Sequence, residues 1–180
     1  MHRLLPLAAA VLVSACAAPA PSDAPRIAGA PDARSAATRM KPADRQALLA
    51  HHNKARADVG VGPLRWDDKL ASYAQEWADH LAAKSCRMQH RQPNAYGENL
   101  FQGTAGRYSA IDASKGWESE KKDYRGAPLT PKNFAPIGHY TQMVWRDTKR
   151  VGCGEAVCNG TLIVACNYDP PGNVLGRTPY

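Results

Sequence analysis

The side chains able to do chemistry in this chain are six histidines, five cysteines and sixteen carboxylates spread through 180 residues. Neutral imidazoles ligate zinc, and carboxylates beside them orient the ring or hold a bound water. Thiols act as nucleophiles or as halves of disulfides. Spacing removes several chemistries at once. There is no His-Glu-x-x-His pair, no Gly-x-Ser-x-Gly elbow and no Gly-rich phosphate loop. His52, Asn53 and Arg56 form one polar face of a helical stretch. Spacing alone gathers the remaining imidazoles and carboxylates into no set.

The cysteines are Cys16, Cys86, Cys153, Cys158 and Cys166, an odd number. In an exported chain the odd thiol calls for an explanation, and the N-terminus supplies one. His2 and Arg3 precede an apolar run over residues 4–13. That run is shorter than the roughly 20 residues a bilayer span needs, and it suits the core of a secretory signal. Val13-Ser14-Ala15-Cys16 is similar to a bacterial lipobox, in which the cysteine is acylated and becomes the mature N-terminus. The reading is a lipoprotein-type signal over 1–15, an acylated Cys16 and attachment to the cell envelope. Ala17 directs such a protein to the outer membrane if the host is Gram-negative. The alternative is ordinary cleavage near Ala15, Ala18 or Ala20 and a secreted, soluble product. Four cysteines then remain, enough for two disulfides in an oxidising compartment. Spacing leaves their three pairings open.

The elements that must position these groups begin after residue 41. Residues 16–41 are rich in Ala, Pro, Ser and Asp, lack an apolar period and read as a disordered linker. At 5–6 Å × √n it holds the domain about 25–30 Å from its anchor. Residues 43–58 read as a first helix ended by Gly60. Asp67 or Asp68 caps a second, whose stripe of Leu70, Tyr73, Ala74, Trp77 and Leu81 marks a buried face. Tyr73 and Trp77 are read as core. A third helix spans 111–124 around Trp117. Residues 139–145 alternate two sets of side chains and read as strand. Residues 162–168 form an apolar, β-branched strand closed by the turn Asp169-Pro170-Pro171-Gly172-Asn173. Helices first and strands later give an α+β domain over 42–180.

Five strings carry a family resemblance: GHYTQMVW (138–145), CNYDPPGN (166–173), HNKARADVGVGPLRWDDKLASYAQEWA (52–78), CRMQHRQPNAYGENL (86–100) and WESEKKDY (117–124). Together they resemble the CAP superfamily of cysteine-rich secretory proteins, antigen 5 and pathogenesis-related proteins of group one. The resemblance covers essentially the whole domain. It implies a three-layer α-β-α sandwich with a central antiparallel sheet, and disulfides Cys86–Cys158 and Cys153–Cys166. A third bridge common in plant members has no counterpart, since APLTPKNFAPIG replaces its place without a cysteine. The resemblance also carries over a cleft set of His90, Glu98, Glu120 and His139, with Glu120 and not Glu118 as the second carboxylate. In some members the two histidines hold a divalent cation such as zinc, which would make Glu98 and Glu120 the supports of its ligands. Arg91 stands where the family usually has serine, and a cation there would lower the His90 pKa. The polar face of His52, Asn53 and Arg56 is structural in the family.

The function this implies is a non-enzymatic binding module, acting as a monomer and presenting its cleft to a lipid, glycan or protein ligand. A metal-dependent hydrolase using the same four residues and a sterol or fatty-acid carrier are the alternatives. Losing Arg3 with the signal takes the formal charge from +7 to +6, a balance that favours anionic partners. Nucleic acid is excluded as a partner by the export signal, the disulfides and the lack of a recognition motif.

Overall fold

The computed structural model describes residues 39–180. The signal over 1–15, the lipidation of Cys16 and the linker as far as residue 38 lie outside the described residues. The last linker positions are corrected. Met40 is buried in the core. The Arg39 N–H donates to Gln75 Oε1 at 2.8 Å, and its guanidinium pairs with Asp79. One apolar residue and one amide therefore dock a stretch whose composition reads as linker.

Helix α1 (Pro42–Ala57) places a proline in its first turn, where the missing N–H costs nothing. It buries Leu48, His52, Ala55 and Arg56. Strand β1 (Arg65–Trp66) leads into α2 (Asp68–Lys84). Asp67 caps α2 by accepting from the Lys69 and Leu70 amides. Strand β2 (Gly97–Thr104), helix α3 (Ala110–Ser119) and a 3₁₀ turn (Glu120–Asp123) follow. The third expected helix thus exists but tightens at Glu120. Then come α4 (Gly138–Met143), β3 (Arg150–Cys158) and β4 (Thr161–Asp169). Among the described residues no helix is long and apolar enough to cross a membrane.

The sheet order is β1-β3-β4-β2. β4 pairs antiparallel with both β3 and β2, while the two-residue β1 lies parallel to β3. The antiparallel expectation is therefore corrected at one edge. β4 shows why the sheet needs cover on both sides. Leu162, Val164, Cys166 and Tyr168 enter one core with α1, α3 and α4, whereas Ile163 and Ala165 enter the other with α2. The result is a three-layer α-β-α sandwich.

Two sequence expectations fail for stated reasons. Residues 138–143 form α4, not a strand. Gly138, Tyr140, Thr141, Gln142 and Met143 are all buried, so polarity there reports no period. The α2 stripe is also displaced. Its buried residues are Leu70, Ala71, Ala74, Gln75, Ala78 and Leu81, while Tyr73 and Trp77 are only half-buried. The cause lies on β3. A Cβ on Gly152 would stand 2.1 Å from the Ala71 amide nitrogen, and one on Gly154 2.4 Å from Gln75 Cα. Two glycines let α2 lie directly on the strand, so the small face of the helix is the one that packs.

Cys86 is bridged to Cys158 and Cys153 to Cys166. The cysteine-free segment after Tyr124 is held in other ways. Leu129 is buried with Ile137 and Trp145. Its N–H donates to Arg177 C=O, and its C=O accepts from the Gly176 N–H.

Candidate functional site

Two histidine–carboxylate pairs face one cleft. The arm between α2 and β2 carries His90, and β2 carries Glu98 eight residues later. His90 Nδ1 lies 2.7 Å from Glu98 Oε1. Glu98 also accepts from the Arg91 amide and from Asn94 Nδ2. The second pair forms where the 3₁₀ turn meets α4. His139 Nδ1 lies 2.6 Å from Glu120 Oε1, and Glu120 Oε2 accepts the His139 and Tyr140 amides, each at 3.0 Å. The tightening of α3 into a 3₁₀ turn is what sets Glu120 at the start of α4. Trp117 stacks on the His139 ring with centroids 6.1 Å apart.

Both histidines line a cavity of about 540 Å³, together with Glu120, Trp117 and residues 100–102 of β2. A second, smaller cavity of about 290 Å³ borders His90, Glu98 and Gly97. All four residues carried over from the resemblance are therefore around one cleft. Each imidazole gives its Nδ1 to a carboxylate, so its neutral form keeps its lone pair on Nε2. That is the arrangement in which a carboxylate orients a metal-ligating histidine. Two such nitrogens suit a divalent ion such as zinc with its other positions open. Among the described residues no group of three or more His, Cys, Asp or Glu side chains forms a complete cation cage. The donor set fits an open site, not a closed structural one.

Arg91 does not act as expected. Its guanidinium lies 3.7 Å from the Tyr73 ring centroid, donates to Tyr73 C=O and pairs with Glu76. It is turned onto α2 and away from the imidazole. The His90 pKa is consequently raised, not lowered, because the hydrogen bond to Glu98 holds the charged form. Tyr73 and Trp77 thus grip the His90 arm. Trp77 Nε1 also donates to Gln89 C=O at 2.9 Å.

The polar face of α1 is structural. His52 is fully buried between Leu48 C=O and the Tyr168 hydroxyl, and Tyr168 in turn accepts from Asn99. Asn53 clamps both backbone groups of Leu64. Arg56 donates to the carbonyls of Gly62, Met143, Trp145 and Thr148. Sequence reading missed His51, which pairs with Glu118 at 3.0 Å and with the Ser114 hydroxyl at 2.8 Å. This Glu-His-Ser order looks catalytic on paper. Ser114 is fully buried and its hydroxyl is also bonded to His52, so it is a brace between α1 and α3. The i, i+4 spacing of Ser114 and Glu118 was the available signal.

Residues 49–168 match the family described as cysteine-rich secretory protein, CAP. The chain belongs to the CAP family. Pathogenesis-related protein 1C of Nicotiana tabacum is 50% identical over 136 residues, covering 75% of this chain and 80% of that one. Pathogenesis-related protein 1 of Arabidopsis thaliana is 45% identical over 75% of this chain and 81% of its own length. Among solved structures, that of NaASP2 with Zn2+ superimposes with a TM-score of 0.70 at 28% identity, covering 78% of this CAP chain and 86% of that chain.

Proposed function

We propose that this CAP protein is an exported, envelope-anchored binding module whose cleft holds a divalent cation between His90 and His139 and presents it to a ligand. The observation that carries the reading is the pair of Nδ1–carboxylate bonds, which leaves two imidazole Nε2 atoms for one cavity. The relative solved with Zn2+ supports the choice of ion. Such a cation, when bound, attracts an anionic or carbonyl oxygen of the ligand. His90 and His139 hold it, while Glu98 and Glu120 fix the rings.

Binding is favoured over catalysis by how the carboxylates are used. Glu98 and Glu120 each accept three hydrogen bonds from the protein, which commits them as braces and not as general bases. The four described cysteines are all bridged, so none of them is a thiol nucleophile. The same pairing supports the N-terminal reading, because it leaves Cys16 as the cysteine outside both bridges. Residues 1–15 are then a removed signal and Cys16 an acylated anchor in the cell envelope. Intact mass should give acylated Cys16 as residue one. A mature form starting at Ala17 or later would end the anchor.

Zinc calorimetry on the mature protein tests the cleft. Wild type should bind zinc, His139→Ala should not, and Glu98→Gln should bind about 10–100-fold more weakly. Equal binding by wild type and His139→Ala removes the metal reading.

A further inference from the structure

β2 is an edge strand, and its register decides which of its backbone groups face outward. The β3–β4 hairpin turns at Asn159 and Gly160, both at positive φ, and pairs Cys158 with Thr161. A two-residue turn of this kind closes on a hydrogen-bonded pair. Odd-numbered residues of β4 therefore bond β3, and even-numbered ones bond β2. β2 pairs Gly97 with Tyr168 and Gly103 with Leu162. It follows that Gly97, Asn99, Phe101 and Gly103 bond β4, while Glu98, Leu100 and Gln102 aim N–H and C=O away from the sheet. The Ala105 N–H to Gly160 C=O bond keeps the same parity. Trp117 Nε1 donates to the outward Leu100 C=O at 3.1 Å.

Among the described residues, no protein group pairs with the outward N–H of Leu100 or with either backbone group of Gln102. Leu100, Phe101 and Gln102 line the larger cavity, and Gly97 and Glu98 the smaller one, with His90 common to both. The open edge therefore runs along the cleft. Natural sheets blunt exposed edges with proline, lysine or a bulge. β2 reads GENLFQGT and pairs without a bulge, so it carries none of these.

We propose that the cleft takes an extended acidic polypeptide segment, which adds to the outer edge of β2 as a fifth strand between His90 and His139. This rests on the cleft being the binding site and names the ligand class it serves. Donors and acceptors repeating every second residue, about 6.6 Å apart, match another extended backbone. A lipid chain offers none, and sugar hydroxyls do not repeat at that spacing. Acidic character follows from Lys122, which is exposed, forms no ion pair among the described residues and lies two residues after Glu120 in the cavity wall, whereas Lys121 is engaged by Asp58.

The probe is a capped hexapeptide library with one fixed glutamate, screened on the mature protein with and without zinc, followed by an N-methyl scan of the tightest binder. Methylation at alternate peptide nitrogens should weaken binding at least about tenfold, near 1.4 kcal/mol, and methylation at the intervening ones should not. The Leu100 and Gln102 amides should become protected from deuterium exchange on binding. Gln102→Pro removes an outward N–H and should lose peptide binding while zinc binding persists. Uniform tolerance of N-methylation, unprotected amides, or binding only to phosphatidylserine vesicles or heparin fragments overturns the proposal. If zinc binds normally in that case, the metal reading stands and the peptide alone falls. If the alternating pattern appears without zinc binding, the peptide stands and the metal reading falls.

Discussion

His52 shows how far burial moves a proton. Desolvation lowers its pKa from 6.5 to about 3, despite the opposing bond to Leu48 C=O. The fold therefore holds neutral His52, and its contribution is complete above pH 6.5, the unfolded value. It is lost as pH falls from 6.5 toward about 3, by about 1.4 kcal/mol per pH unit. His90, with its raised pKa, runs the other way: its contribution is present below 6.5 and lost as pH rises through the folded value. His90 is more than half exposed and its pairing is screened, so His52 dominates. Urea midpoints should fall between pH 7 and pH 5, and His52→Gln should flatten the slope. Arg56 makes the companion prediction. Replacing it with Ala takes the donor from four carbonyls, three of them in buried bonds, and should cost at least about 3 kcal/mol by chemical denaturation.

At the scale of elements, the contact of α2 with β3 is the most sensitive to a single methyl. Gly154→Ala puts a Cβ within 2.8 Å of three Gln75 atoms, two of them backbone, which the helix cannot yield without moving. The expected loss is at least about 1–3 kcal/mol, as overpacking commonly costs. Gln75 itself bonds both backbone groups of Glu155, so the shift should also speed hydrogen exchange at the Glu155 amide. A variant as stable as wild type would show that the helix is free to slide. Glu120 works at the same scale. It caps the first amides of α4 and holds His139 with the same carboxylate. Its replacement should therefore disturb helix and cleft together, whereas Glu98→Gln should leave α4 intact.

For the whole molecule, the disulfides differ in what they constrain. Cys86–Cys158 closes a separation of 72 residues and Cys153–Cys166 one of 13. On the loop-entropy account, removing the first should cost about 4–5 kcal/mol and the second about 3. The first also ties down the arm that carries His90, since Cys86 lies four residues before it. The Cys86→Ala/Cys158→Ala pair should therefore weaken zinc binding as well as stability, while the other pair should cost stability alone. Calorimetry beside denaturation separates the two effects.

Much of this was legible from residues in order. The α1 and α2 helices and the β4 strand follow from local period and capping, because each is written in contiguous side chains. The odd cysteine count is equally local. The cleft was legible only through the strings CRMQHRQPNAYGENL, WESEKKDY and GHYTQ, because His90, Glu98, Glu120 and His139 share no spacing that would gather them. Other decisions belonged to the tertiary structure alone. Residues 138–143 hid their helical period because every position but His139 is buried, which erases the polarity contrast that reveals one. The packing face of α2 was chosen by two glycines on a strand some eighty residues away. Arg91 was drawn off His90 by the Tyr73 ring and Glu76. The open edge of β2 arose from hydrogen-bond parity passed from one hairpin through a second strand. In each case the deciding partner is distant in sequence, and only burial and register bring it to the residue it governs.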